Sequence, residues 1–212
     1  MNEKPLRPLR TETALGRGII QMFRELEKRL EPKKEVAVYL AGGLGVYLYT
    51  GLRISGDIDA EFGARVLVPS DLMLDVSLEN GEKRTLYFDT NYNPMFALLH
   101  EDYQQDARLM DIGTGALKVH LLSPVDLAVS KIARFQDNDR EDIEALVREG
   151  LVTAREIEQR AHEALPGYIG EMWKVERNID DAVSLAQKVE AERNEPCVDR
   201  GGEAGEETDK GR

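Results

Sequence analysis

The stretch that most restricts how this chain can fold is Val36 to Phe62, reading VAVYLAGGLGVYLYTGLRISGDIDAEF. Val36 to Leu40 is apolar, β-branched and too short for an independent helix, which predicts a buried strand. Gly42-Gly43 stops it. Leu44, Val46, Tyr47, Leu48 and Tyr49 then predict an amphipathic, turn-rich helix ended by Gly51, before Asp57-Ile58-Asp59 opens a second strand. Side chains at i and i+2 of a strand share a face, so Asp57 and Asp59 stand side by side with Ile58 buried behind them.

Two like charges that close are tolerated mainly where a cation or strong donors neutralise them. Magnesium meets that need, because it takes oxygen ligands, usually one or two carboxylates completed by water and substrate phosphates. The glycines supply the complement. Gly42 and Gly43 carry no side chain to block a close approach, and they open a helix whose free N–H groups favour anions. A tight turn followed by an ordinary exposed strand end is the plain alternative for the same residues.

This pattern resembles the nucleotidyltransferase superfamily that includes DNA polymerase beta. The shared features are an apolar residue with Gly-Gly, a spacer, and an Asp-apolar-Asp strand, here Ala41-Gly42-Gly43, thirteen residues, then Asp57-Ile58-Asp59-Ala60. Ala60 is only weakly apolar where relatives carry an apolar residue. The resemblance implies an α/β fold with a nucleotidyltransferase-like mixed sheet and flanking helices. It also implies magnesium on Asp57 and Asp59, and a nucleoside triphosphate held by Gly42 and Gly43 with help from Ser55. Arg53 or Lys131 would offset charge on the leaving pyrophosphate. A third acid on a neighbouring strand would take the proton of the attacking hydroxyl, and both Asp89 and Asp142 are candidates.

A second signature lies at Ser123-Pro124-Val125-Asp126-Leu127, where Ser123 suits an N-cap, Pro124 the first helical position and Asp126 the positive end of a helix. That helix is expected to reach about Phe135, with a further start at Asn138 or Asp139. The segment SPVDLAVSKIARFQDNDREDIEAL is similar to the second motif of the abortive-infection nucleotidyltransferases, which include toxins of bacterial toxin–antitoxin pairs, and of a related bacterial group. By that resemblance Lys131 holds the triphosphate and Asp139 to Asp142 match an acidic element. Glu141 precedes Asp142 where relatives have Lys-Asp. Ordinary helix-start chemistry, with Asp139 as N-cap and Asp142 at N3, explains the same acids without any function.

Elsewhere the pattern predicts a helix over Ala14 to Leu30, capped by Thr13, and extended segments at Arg65 to Val68 and Leu72 to Leu78. After the Asn80-Gly81 turn a strand from Arg84 to Thr90 returns antiparallel, with Asp89 inside the sheet. Pro94 to Asp106 suggests a short helix or ordered loop, and Arg108 to Ile112 pairs with Ala116 to Leu122. Thr153 to Glu156 forms a capping box. Tyr168 to Glu192 predicts a long amphipathic helix with Trp173 in the core. The chain divides into a flexible lead-in (1–13), a nucleotidyltransferase core (14–122), a helical C-terminal subdomain (123–190) and a disordered acidic tail (191–212).

A formal net charge of −12 argues against broad binding of nucleic acid, which depends on lysine and arginine neutralising phosphate. Lys33-Lys34 and Lys131 with Arg134 are the candidate basic patches. No apolar run approaches the roughly 18 residues of a membrane span, and the N-terminus lacks a signal-peptide h-region, so a soluble cytoplasmic protein is expected. Cys197 is a lone cysteine, and His100, His120 and His162 have no metal-ligand spacing. Three uses of the chemistry compete. One is modification of RNA, such as a tRNA end, in a toxin-like role with a cognate antitoxin; another is nucleotidylation of a small molecule or protein. The third is an inactive member kept as a binding or antitoxin-type module, which retention of the repelling pair argues against.

Overall fold

A computed structural model describes residues 7–195, a mixed α+β arrangement of seven strands in two sheets and six α-helices. Helix α1 (Ala14–Leu30) begins as expected: the Thr13 hydroxyl accepts from the Gly16 N–H at 3.0 Å, and Glu31 ends it in a left-handed conformation. Its apolar stripe, Leu15, Ile19, Met22, Phe23 and Leu26, is fully buried. The stripe packs on β4 (Met73–Ser77), β5 (Lys83–Phe88) and β7 (Leu117–Leu121). Glu27, on the same helix, accepts from the N–H groups of Gly115, Ala116 and Leu117 at 2.9, 2.6 and 2.8 Å, fixing the turn that leads into β7.

The larger sheet has the order β3-β1-β7-β6, from β1 (Val36–Leu40), β3 (Ala60–Phe62), β6 (Arg108–Leu109) and β7. Only β1 and β7 are parallel in it, and both are central. The smaller sheet has the order β2-β5-β4, with β2 (Asp57–Ile58) parallel to β5 and the expected hairpin joining β4 to β5 through Gly81 at φ 87°. The Asp57-Ile58-Asp59 segment is therefore not the edge of one strand. Asp57 and Ile58 pair in the small sheet, Ala60 to Phe62 pair in the large one, and Asp59 sits at the crossing between them.

Helix α2 (Gly42–Thr50) starts at the first glycine and is buried at every position, so the expected amphipathic segment is instead a core helix. A sequence this apolar all round belongs in an interior. It packs against β2, α3 (Pro124–Ser130) and α4 (Asp137–Arg148). The Ser123 cap of α3 is present, its hydroxyl accepting from the Asp126 N–H at 3.2 Å, but α3 stops at Ser130 rather than at Phe135. Phe135, at φ 50°, reverses the chain into α4. Gln136 is the N-cap of α4, which makes Asp139 the third residue of the helix instead of its cap and moves Asp142 a turn deeper.

Helix α5 (Ala154–Ala164) carries the Thr153–Glu156 capping box, and α6 (Met172–Asn194) packs across α4 and α5. Trp173 is 65 % exposed, which corrects its expected place in the core: the helix begins only at Met172, and its buried face is Val175, Ile179, Ala182, Val183, Ala186 and Val189. Residues 65–68 form no strand. Within the expected lead-in, Arg10 N–H donates to Leu48 O at 2.8 Å and Arg7 pairs with Glu149 at 3.2 Å. Helix α6 continues through Asn194, past the expected start of the tail, while Cys197 lies outside the described residues. Among the described residues no helix is long and apolar enough to cross a membrane.

Candidate active site

The loop between β1 and α2 is set by pairing on both sides. Ala41 N–H donates to Asp59 O at 2.9 Å, so the start of α2 is tied to the crossing that carries the acid. Gly42 adopts φ 64°, and a Cβ built there would overlap the Asp59 carboxylate. Glycine is required twice over, by conformation and by space. At Gly43 a Cβ would reach only 3.4 Å from the Arg53 guanidinium carbon and 3.5 Å from Ser55 Cβ. Acid, arginine and serine thus crowd onto the bare backbone at the start of α2.

Gly42 and Gly43 share the walls of one cleft of about 280 Å³ with Asp57, Asp59, Asp89 and Lys131. Its far side is completed by Arg53, Arg134 and Asp139, and by Asn91, Tyr92 and Phe96 from the segment after β5. Asp89 arrives by register. In the parallel pair, Asp57 lies opposite Tyr87 and Ile58 opposite Phe88, and the Asp89 N–H donates to Ile58 O at 3.0 Å. The next positions along the two chains are Asp59 and Asp89. Strand β5 ends at Phe88, so Asp89 stands just beyond the sheet rather than within it, with one oxygen accepting from the Asn91 N–H at 2.8 Å.

Burial raises the Asp59 carboxyl to about 6, with the neighbouring charges of Asp57 and Asp89 adding to the rise and those of Lys131 and Arg134 opposing it. Ser55 donates a short hydrogen bond to Asp57 Oδ1 without itself lining the cleft. Burial also raises the Tyr92 phenol, and the Asp59 charge adds to it, so Tyr92 faces the site as a neutral hydroxyl.

The opposite wall is cationic. Lys131, the C-cap of α3, is buried and lies 2.8 Å from Asp142 Oδ2. Arg53, whose backbone takes the left-handed φ of 57°, donates to the same Asp142 oxygen and to Asn138 O at 3.0 Å. Asp142 is wholly buried, does not line the cleft, and has its other oxygen without a hydrogen-bond partner. Arg134 makes a two-pronged contact with Asp139 at 2.8 and 2.7 Å. Burial pushes the Asp139 carboxyl up, but Arg134 and the Gln136 N–H outweigh it and leave the carboxyl below its ordinary range, while Arg134 is raised in turn.

Of the residues singled out in the sequence, Gly42, Gly43, Arg53, Asp57, Asp59, Asp89 and Lys131 meet at this cleft, and Ser55 and Asp142 lie immediately behind it. Reading the sequence missed Asn91, Tyr92 and Phe96, since a loop after a strand has no periodicity to mark it. Arg134 is marked in the sequence only as half of a candidate basic patch with Lys131. Among the described residues no three His, Cys, Asp or Glu side chains form a ready-made cage for a metal ion. The donor set nonetheless fits a magnesium ion that keeps water and substrate ligands: two hard oxygen donors one residue apart, one of them a carboxyl raised chiefly by burial and further by the neighbouring acids, whose charge a cation would offset. The model of a family described as nucleotidyltransferase of unknown function (DUF6036) matches residues 17–178, which spans both the glycine turn and the Lys131–Asp142 segment. No curated protein and no solved structure matches the chain.

Proposed function

Because this chain belongs to that nucleotidyltransferase family, we propose that it moves a nucleoside monophosphate from a nucleoside triphosphate to a hydroxyl acceptor in a magnesium-dependent reaction. The observation that carries the reading is the cleft in which Asp57, Asp59 and Asp89 face Lys131, Arg53 and Arg134 across the open backbone of Gly42 and Gly43. Asp57 and Asp59 would hold the metal, which when bound supplies Lewis-acid stabilisation of the charge on the triphosphate. The N–H groups at the start of α2 bind phosphate oxygens, since they are unpaired within the helix and lie at its positive end. Lys131 and Arg134 neutralise the departing pyrophosphate from the other wall.

Asp89 suits the third acid better than Asp142. It lies beside Asp59 at the cleft surface, whereas Asp142 is fully buried and held by two cations. A carboxylate so paired is a poor proton acceptor, because protonation would forfeit both contacts. In the transfer the acceptor oxygen bonds to the α-phosphorus, its proton passes to Asp89, and the bond to the bridging oxygen of pyrophosphate breaks. Phe96, 76 % exposed at the rim of the cleft, offers a face on which the nucleobase stacks.

Incubation of the protein with each labelled nucleoside triphosphate, magnesium, and either total RNA or small-molecule extract tests the reading. Asp57→Asn should cut transfer by roughly a thousandfold or more while the circular-dichroism spectrum is unchanged. Full activity in Asp57→Asn would exclude this site.

A further inference from the structure

A second cleft, of about 460 Å³, opens on the other side of the Asp89–Tyr92 wall, and both residues line both clefts. Its inner wall is Ala60 to Phe62 of β3, the edge strand of the large sheet, together with Phe88 of β5. Its outer wall is the irregular segment carrying Ala64, Val66 and Leu67. Leu67 is 87 % exposed, an apolar side chain at the lip that a bound molecule would cover. The volume is that of a small-molecule site.

We propose that this cleft seats the acceptor, and that the acceptor is a small hydroxyl compound with an apolar body and no anionic group. The inference rests on the nucleotidyltransferase reading and specifies its second substrate. Position argues for it first: a molecule here meets Asp89 from the side opposite the triphosphate, so its hydroxyl can lose a proton to Asp89 as its oxygen bonds to the α-phosphorus and pyrophosphate leaves. Charge argues for the class. The walls carry two carboxylates, Glu61 and Asp89, against one guanidinium, Arg65. The hydrogen-bond partners of Glu61, Tyr103 and Gln104, are both neutral, so its charge is not cancelled. A nucleic-acid strand would bring phosphates against those acids, where binding needs lysine and arginine. Phe62, Phe88, Val66 and Leu67 supply apolar surface for a hydrocarbon or aromatic body.

Three phenols of one shape and different charge, tyramine, tyrosol and 4-hydroxyphenylacetate, test this by ligand-observed NMR on the full chain saturated with ATP and magnesium. Tyramine and tyrosol should bind, and 4-hydroxyphenylacetate should bind roughly tenfold more weakly or worse. Ala64→Trp, which fills the cleft from an exposed position, should weaken tyramine about tenfold while the Kd for ATP changes less than about twofold. Leu67→Asp, at a fully solvated position, should weaken tyrosol without disturbing the fold. Failure of the wild type to bind any of the four ribonucleoside triphosphates would sink the nucleotidyltransferase reading itself. With ATP bound, the acceptor cleft is overturned by equal binding of the anion, by indifference to both substitutions, by no phenol binding, or by an RNA oligonucleotide displacing tyramine.

Discussion

The two walls of the candidate site differ in their electrostatics. On the sheet side, Asp57, Asp59 and Asp89 are brought together by backbone register, and burial, with the charges of Asp57 and Asp89 adding to it, raises Asp59 to about 6. On the helical side three cations share two carboxylates: Asp142 holds Lys131 and Arg53, and Asp139 holds Arg134. The sheet wall therefore carries net negative charge, and the helical wall keeps positive charge in excess of its carboxylates. Helix α4, which contributes no side chain besides Asp139 to the cleft, is nevertheless the element whose acids aim its positive groups.

If α4 aims the cations, removing its buried acid should have the largest effect on the fold. Asp142→Ala strands a buried lysine and should cost roughly 3 kcal/mol or more in a urea titration, because a lone buried charge keeps its desolvation penalty. Asp142→Asn, which preserves shape, should fold well enough to show weakened binding of the triphosphate with the acceptor KM unchanged. A proton-accepting role for Asp142 would instead appear as a loss confined to kcat.

The sheet wall can be attacked through its glycine. Gly42→Ala forces a side chain into the Asp59 carboxylate at a positive φ, so it should lose about 2–3 kcal/mol and abolish transfer. Normal stability in that variant would mean that Asp59 does not lie over the turn. Gly43→Ala meets only contacts of 3.4 Å and longer, and should fold with a smaller loss.

The raised Asp59 carboxyl has a pH signature. Asp59 binds its proton more tightly in the folded chain than in the unfolded one, so its contribution to stability is complete below pH 3.8 and is lost as pH rises through about 6. Without metal, Asp59→Asn should therefore gain on the wild type between pH 4 and pH 7 by roughly 2 kcal/mol. Thermal melts across that range measure it, and added magnesium should favour the wild type alone at pH 7. Parallel wild-type and Asp59→Asn curves would show that the Asp59 carboxyl is not raised in the folded chain.

The smallest effect belongs to Arg134, whose side chain is 59 % exposed although Asp139 is buried. Arg134→Gln should change stability by less than about 1 kcal/mol, since an exposed partner is screened by water. It should still weaken triphosphate binding, which isothermal calorimetry would register.

How much of this was legible beforehand follows the range of the interactions. The Val36–Leu40 strand, the helix opening at Gly42, the Thr13, Ser123 and Thr153 caps and the Asn80-Gly81 hairpin are decided within a few residues, and they stand in the chain as written. Trp173 was misplaced because periodicity alone extended α6 a turn too far toward its N-terminus. Asp139 was misplaced because Gln136, a weaker capping residue than Asn or Asp, takes the cap position of α4.

From the chain alone it follows that Asp57 and Asp59 stay close together after a glycine-opened helix, since residues two apart cannot move far from one another and glycine readily takes the left-handed turn. The sequence could not choose between Asp89 and Asp142. The parallel pairing of β2 with β5 puts Asp89 beside Asp59, and the packing of α4 against α2 buries Asp142 behind Lys131 and Arg53. Both depend on loop closure and core contacts between segments far apart in the chain, where no local pattern carries register or depth.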